Sequence, residues 1–420
     1  MSSDNLLIAA NPLCQRRLGR HYAAIQGLYW ANIACTAAYS VVLLQSRGIN
    51  NTQIGVIMAV RALASLSLQP VMASLADRLC KRIPLKYFGL ILTTIAFGSN
   101  LALLFSGGSF FLSILIFMFL GASVNVLAPI NDALAIQYIN GGYSLNYSVA
   151  RGVGSLMFAL NCLVLAGIVG IFGVEATIIV HAVLLVALFL VLTAFQNYPG
   201  PLLGEGERVP KKGSGRKTYR QILKDSPALI VFLTAAFLMF MGSSSVFQFL
   251  PNFMTRSGGN SSHVGIALFV LAAVQFPTSL VYSRIARKIS ARTLLLIAYI
   301  FVCLRSVLVM LSGSPALIIG VMAFDLVGGG LQINSEVFFI NDRVGAENVV
   351  KGQSLLRIIP GGVGAMLGSL LAGFLIDQTG LSGMSWVSGG LMIAGITILA
   401  VDRFAHYRRT TGASIKILPE

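Results

Sequence analysis

Ser46-Arg47-Gly48-Ile49-Asn50-Asn51-Thr52-Gln53-Ile54-Gly55 returns 210 positions later as Arg256-Ser257-Gly258-Gly259-Asn260-Ser261-Ser262-His263-Val264-Gly265. In the same register Val60, Ala62, Ala76 and Arg82 fall on Val270, Ala272, Ala286 and Arg292. Further on, Ser148-Val149-Ala150-Arg151 falls on Ser354-Leu355-Leu356-Arg357 at an offset of 206. Apolar identities arise readily by chance, but glycines, asparagines and arginines recurring at one place in a repeat do not. The chain is therefore read as one structural unit used twice.

The material between the copies agrees. Residues 197–225 form the one long polar stretch, with Pro199-Gly200-Pro201, further glycines and a run of lysines and arginines. This reads as a linker. The expected domains are an N-terminal bundle over 1–196, the linker over 197–225 and a C-terminal bundle over 226–420.

Each copy is built for hydrocarbon. Of the 420 residues 56% are hydrophobic and 10% charged, and the mean hydropathy is +0.82. That is too little charge for a water-exposed surface. About 20 apolar residues cross roughly 30 Å of bilayer core. On that measure the spans lie near 22–45, 52–76, 84–105, 110–139, 145–171, 174–196, 226–253, 262–285, 293–313, 315–340, 352–376 and 383–406, the eleventh being glycine-rich. A barrel would show short alternating strands instead of long apolar runs. The expected fold class is an all-α membrane protein of about twelve transmembrane helices in two pseudo-symmetric six-helix bundles.

The net charge of +16 raises nucleic acid as a partner, and the placement of the charges answers it. With the N-terminus in the cytoplasm, 24 of the 30 lysines and arginines fall in cytoplasmic segments, while the outer loops hold only Arg47 and Arg256. This is the positive-inside pattern. It predicts a multi-pass protein of a bacterial inner membrane, both termini cytoplasmic, with lipid and no nucleic acid as partner. Span 1 is too long for a cleavable leader and lacks a small-residue cleavage site. The five cysteines form no C-x-x-C pair, so neither disulfides nor a metal site is expected.

Ionisable side chains inside a span cost roughly 2.5–3.5 kcal/mol each on insertion scales and need a reason. Here they are Arg61, Asp132, Arg151, Arg305, Asp325, Glu336 and Arg357. By depth, Asp132 falls with Arg151, Glu336 with Arg357 and Arg305 with Asp325. At 100° per residue, Asp325, Gln332 and Glu336 share one face of span 10. Ser148, Arg151 and Ser155 share one on span 5, and Asn32, Thr36 and Tyr39 one on span 1. Structural ion pairing accounts for one such pair. Polar stripes on several helices in both halves favour a water-filled cavity. Parallel six-helix repeats with a midplane site at their interface are a transporter architecture.

Local motifs then resemble one family. Ala73-Ser74-Leu75-Ala76-Asp77-Arg78-Leu79-Cys80-Lys81-Arg82 is similar to the major facilitator loop signature G-x-x-x-D-R/K-x-G-R/K-R/K, with Ala73 and Cys80 at its glycines. The resemblance implies a cytoplasmic latch formed by Asp77, Arg78, Lys81 and Arg82. The equivalent loop between spans 8 and 9 keeps its cations but has no acid at the matching place. Ala128-Pro129-Ile130-Asn131-Asp132-Ala133 followed by Asn146-Tyr147-Ser148-Val149-Ala150-Arg151-Gly152-Val153-Gly154 resembles the lactose-permease and phenylpropionate-permease branch. Those carriers have A/V-P-x-x-E/D-A on helix 4 and Y/F-G-x-x-R-x-x-G on helix 5.

That likeness implies an acid and an arginine holding a sugar, carried here onto Asp132 and Arg151. Phe158 stands where the lactose carrier has a stacking tryptophan. The branch's helix-9 arginine falls on Arg305, its helix-10 histidine on Asp325 and its proton-carrying glutamate on Gly328. A carboxyl among apolar groups favours its protonated form and an adjacent arginine its ionised form. Asp325 is therefore the first candidate to carry a proton and Glu336 the second. His181 and His263 are read as structural.

The expected function is alternating-access, proton-coupled uptake of a small polar solute such as a sugar or oligosaccharide. Asn32, Tyr39, Asp132, Arg151, Phe158 and Gln332 are the expected binding residues, and Arg61, Arg305, Asp325, Glu336 and Arg357 the buried charges. The proton gradient is the expected coupling ion, with no cofactor, and the protein is expected to work as a monomer. Four arginines against three acids in the spans favour an organic anion as the alternative cargo, with nucleosides third. Export is disfavoured, because span 5 lacks the Gly-Pro element of drug antiporters. No phosphate loop, metal cluster or nucleophile–base set suggests an enzyme.

Overall fold

The computed structural model describes residues 12–79, 83–197, 217–344 and 348–415, and the long elements among them are all helices. The first six are α1 (Pro12–Ser46), α2 (Asn51–Leu79), α3 (Lys86–Ser106), α4 (Phe110–Asn140), α5 (Tyr147–Phe172) and α6 (Ala176–Ala194). After a short helix at Tyr219–Asp225 come α7 (Pro227–Gln248, with a further turn at Leu250–Arg256), α8 (Ser261–Ala286) and α9 (Ala291–Leu311). α10 begins at Pro315–Val321, narrows to a 3₁₀ stretch at Met322–Leu326 and resumes at Gly328–Val344.

Eleven described segments are long and apolar enough to cross a membrane, and the last runs 54 residues from Lys351 to Phe404. At 1.5 Å per residue that is about 80 Å, more than twice what the hydrocarbon needs. It breaks at Gly380, whose φ of 74° leaves the helix in a region open to glycine and costly for residues with a Cβ. The segment is therefore two spans, α11 (349–379) and α12 (381–415), and the expected twelve are present. α1 is already helical at Pro12, the first of the described residues, well before residue 22. The glycine-rich eleventh span holds a π-helical turn at Ile359–Gly364.

Two compact units are found. One comprises the described residues of Met1–Lys212 with Gly259–Ala273, the other those of Gly213–Gly258 with Val274–Glu420. In the first, α1 packs on α5 and α6, α2 on α4, and α3 on α4 and α6. In the second, α7 packs along α11 and α12, and α9 on α10 and the C-terminal helices. Lipid gives helices no hydrophobic reason to associate, so small residues and hydroxyls carry the packing. A Cβ on Gly368 would lie 2.4 Å from the Met241 carbonyl oxygen, and one on Gly242 2.5 Å from that of Ser388. Ser245 Oγ donates to the Gly368 carbonyl at 2.9 Å.

The repeated turns have repeated chemistry. The Gln53 amide donates to Asn50 Oδ1 at 2.8 Å while the Asn50 amide donates to Gln53 Oε1 at 3.3 Å. At the start of α8 the His263 amide donates to Asn260 Oδ1 at 3.3 Å and the Asn260 amide to His263 Nδ1 at 3.1 Å. Each is a reciprocal cap satisfying orphan N–H groups of a helix start. Beside each cap an arginine closes a helix C-terminus, where cations are favoured. Arg47 Nη1 donates to the Leu103 carbonyl at 2.7 Å, and Arg256 Nη2 donates to the Met310 carbonyl. Of the expected linker, residues 198–216 lie outside the described residues. Its last turn is capped by Thr218 and Gln221, and Lys217 pairs with Asp225 at 2.6 Å.

Candidate functional site

In the N-terminal unit α1, α4 and α5 bring a polar and aromatic group together. Asp132, on the turn after Pro129 of α4, is half-buried. Its Oδ1 accepts from Tyr147 Oη at 2.9 Å and from Gln26 Nε2 at 3.4 Å. Gln26 also donates to Tyr22 Oη at 2.7 Å, and Tyr22 in turn donates to the Asn131 carbonyl at 3.1 Å. Arg151 is not ion-paired with Asp132. Its guanidinium lies over the Trp30 ring, 4.0 Å from the centroid, and Nη1 donates to Ser155 Oγ at 3.4 Å. Phe158 meets the edge of Trp30 at 6.4 Å between centroids. Gly154 makes room for this stack, since a Cβ there would sit 2.5 Å from Trp30 Cδ1.

The result is an ionisable acceptor, a guanidinium with most of its five donors uncommitted among the described residues, and aromatic faces beside both. Of the residues expected here, Asp132, Arg151 and Phe158 are in the group. Asn32 and Tyr39 are each 1% exposed and lie elsewhere in the bundle. Asn32 Nδ2 donates to the Leu28 carbonyl, and Tyr39 lines an internal cavity with Thr36. Arg61 Nη2 donates to Thr36 Oγ1 at 3.0 Å, its stem passing against Gly121. Trp30, Tyr147, Gln26 and Tyr22 escaped the sequence reading. Tyr22, Gln26 and Trp30 follow one another at intervals of four on α1, so the periodicity applied to Asn32, Thr36 and Tyr39 would have found them.

The C-terminal unit holds two separate arrangements. Arg305 Nη1 donates to Asp325 Oδ1 at 2.6 Å, with 10% and 2% of the two side chains exposed. Gln275 Nε2 donates to Asp325 Oδ2, also at 2.6 Å. The 3₁₀ stretch changes the phase of α10 at Asp325, and Gly329 leaves its carboxylate space: a Cβ there would be 2.6 Å from Oδ2. Further along α10, Glu336 is 4% exposed and has neutral partners. Its Oε1 accepts from Gln332 Nε2 at 2.9 Å and from Tyr299 Oη at 3.1 Å. Arg357, placed with Glu336 by depth, is exposed and makes no ion pair among the described residues.

The side chains of Asp77 and Arg78, and Lys81 and Arg82 altogether, lie outside the described residues, and so does the expected latch. In the first turn of α9, just after the loop from α8, Arg292 Nε lies 3.5 Å from Asp402 Oδ2. The acid that the loop lacks comes from α12, more than a hundred residues away. Among the described residues no cluster of histidine, cysteine and carboxylate could hold a metal.

Comparison with known proteins bears on this arrangement. The family model described as "MFS_1 like family" matches residues 21–386. Maltose permease of Geobacillus stearothermophilus is 24% identical over 393 residues, 92% of this chain and 94% of that protein. The transcription regulatory protein OpdE of Pseudomonas aeruginosa is 27% identical over 278 residues, 65% of this chain, and the match spans about two-thirds of that protein's length, 64%. Among solved structures, the nucleoside transporter NupG superposes with a TM-score of 0.73 at 13% identity, over 91% of this chain and 98% of that one. An auto-inhibited POT family peptide transporter gives 0.68 at 10% identity, over 94% and 97%. At those identities the structures speak for the fold.

Proposed function

Because the chain belongs to the MFS_1 like family, matched over residues 21–386, and is a secondary transporter, we propose that it takes up a sugar or oligosaccharide by proton-coupled symport. The observation that carries this reading is the group at Trp30, Asp132, Tyr147 and Arg151. A sugar presents hydroxyls that both donate and accept, and apolar C–H faces that lie on aromatic rings. Asp132 accepts, Arg151 donates, and Trp30 and Phe158 supply the faces. Maltose permease as a relative supports the same class. Binding alternates between the two sides of a bacterial inner membrane with both termini in the cytoplasm, and the protein works as a monomer of two six-helix domains joined by 197–225.

The proton is assigned to Glu336 ahead of Asp325. Asp325 is held by Arg305 and Gln275, and removing charge from one member of a buried ion pair leaves the other uncompensated, at about 3–5 kcal/mol. Among the described residues Glu336 is addressed only by Tyr299 and Gln332, so taking up a proton there strands no cation.

A second reading, uptake of an organic anion such as an aromatic carboxylate, is favoured by one observation. Arg61, Arg151 and Arg357 make no ion pair among the described residues. The deciding experiment is uptake into proteoliposomes of a panel of sugars, aromatic carboxylates and nucleosides, with and without an inside-alkaline gradient. Gradient-driven sugar uptake is the expected result. Carboxylate uptake with no sugar flux would replace the first reading by the second.

A further inference from the structure

The two neutral donors that meet Glu336 differ in how free they are to leave it. Tyr299 of α9 is 0% exposed, and its Oη donates to Oε1 at 3.1 Å. Its helical neighbours Leu295, Ala298 and Val302 are buried with it. Gln332, one turn before Glu336 on α10, is only half-buried, and its Nε2 donates to the same oxygen at 2.9 Å. Hydrogen bonds between side chains four apart on a helix are weak ties. A helical side chain also rests on the turn before its own. Here that turn is Gly328-Gly329-Gly330, which carries no side chains of its own.

The bond itself fixes what Gln332 has left to offer. An ionised carboxylate only accepts, so the amide turns its NH₂ toward Glu336 and spends one hydrogen there. Among the described residues Gln332 makes no other hydrogen bond. Its second hydrogen and its carbonyl oxygen stay open on the half-exposed flank of α10. The surroundings of Glu336 hold little else that is polar. From α9 it is faced by the Tyr299 phenol. Tyr282 of α8 donates instead to Ser335 Oγ, at 3.1 Å, and Arg357 of α11 is exposed. Among the described residues no cation and no second carboxyl acts on Glu336. Two donors on one carboxylate favour its ionised form, and losing one moves the balance toward the protonated form.

We propose that Gln332 couples solute to proton: an acceptor oxygen of the solute draws its amide away from Glu336, and the acid, left with Tyr299 alone, takes up a proton. The proton comes from the aqueous phase, one O–H bond forms on the carboxylate, and nothing else is consumed. The sign is that of symport. Solute raises the affinity for the proton, and by reciprocity the proton raises the affinity for the solute by the same factor. A solute that instead reinforced the bond from Gln332 would expel the proton, which is the sign of exchange. The inference rests on the assignment of the proton to Glu336. It adds to that reading a solute contact at Gln332 and a physical reason for the direction of coupling.

Infrared difference spectroscopy of the full-length protein in lipid vesicles reads the protonated carboxyl directly, and Glu336→Gln assigns its band. Gln332→Leu should raise the titration midpoint of that band by about one pH unit, the equivalent of one hydrogen bond. Maltose, benzoate and uridine serve as probes. In the wild type a probe that binds should move the midpoint the same way, and in Gln332→Leu it should move it no further. Gln332→Asn keeps an amide on a stem one carbon shorter. It should show the raised midpoint of Gln332→Leu while binding the probe more tightly than that variant does. An unchanged midpoint in Gln332→Leu, a probe shift of equal size with and without the amide, or no shift with any probe would each overturn the proposal. A carboxyl band that survives Glu336→Gln would instead overturn the proton assignment beneath it.

Discussion

Arg305 and Asp325 are joined at 2.6 Å inside the C-terminal unit, and the arginine has 10% of its side chain exposed and the aspartate 2%. The pair joins α9 to the 3₁₀ stretch of α10 and is held further by Gln275 of α8. Removing one partner leaves a buried charge, which costs about 3–5 kcal/mol. Arg305→Ala is therefore expected to lower the unfolding temperature in detergent sharply. Arg305→Ala with Asp325→Ala should recover much of the loss. Equal destabilisation of the single and double variants would show that the pair contributes nothing as a pair.

Among the described residues Glu336 has no such partner. Glu336→Gln fixes the side chain in a neutral form of the same shape, and Tyr299 and Gln332 still have an oxygen to address. Accumulation against a gradient should be lost while exchange of labelled for unlabelled solute continues, the two being compared in the same vesicles. Accumulation at the wild-type level in this variant would remove Glu336 from the coupling.

Trp30 and Arg151 form a cation–π contact at 4.0 Å, a class of interaction contributing about 0.5–2 kcal/mol. Trp30→Leu should raise the half-saturating solute concentration roughly two- to thirtyfold by that measure. Gly154→Ala should act in the same direction through the ring it displaces. Titration of solute against tryptophan fluorescence is a direct check, because the chain has two tryptophans and the second, Trp386, is 83% exposed. Unchanged affinity in both variants would take the stack out of the binding site.

Arg47 does more than pair with Glu175. It meets both carboxylate oxygens, at 2.8 and 2.6 Å, and also the Leu103 carbonyl and Ser106 Oγ. Its own side chain is 9% exposed and that of Glu175 is 52%. Glu175→Ala exposes a surface contact contributing about 1 kcal/mol or less. Arg47→Ala also leaves a helix C-terminus open and should cost about 2–3 kcal/mol. Thermal unfolding of the two variants should rank them in that order, and the reverse order would assign the stabilisation to the ion pair alone.

The spans, their number and the turn repeat were legible because each depends on residues close together in the chain. Twelve apolar runs can be counted, and Gly48, Asn50 and Gly55 return as Gly258, Asn260 and Gly265. Side-chain partnerships were less legible. The pairing of Arg305 with Asp325 followed from depth. The same argument placed Glu336 with Arg357, yet Glu336 is met by Tyr299, a residue polar at one atom only and so hidden inside an apolar run. Trp30 was hidden in the same way. Asp402 supplies the acid missing beside Arg292 from a helix that no spacing rule connects to it. The 3₁₀ stretch at Met322–Leu326 has no proline to announce it, and an ideal 100° step through Asp325 was bound to misjudge its face.

The matched caps at Asn50 and Asn260, each beside an arginine that closes a neighbouring helix, also record descent. A duplicated ancestral segment would keep what every copy needs in order to turn and be closed, and these turns keep the reciprocal cap while exchanging a glutamine oxygen for a histidine ring nitrogen. The interiors have parted. One copy now holds an aromatic stack with an acid and an arginine that do not pair; the other holds a locked ion pair and a carboxyl among neutral groups. The joinery was inherited twice, and the two lineages within one chain have since specialised in different work.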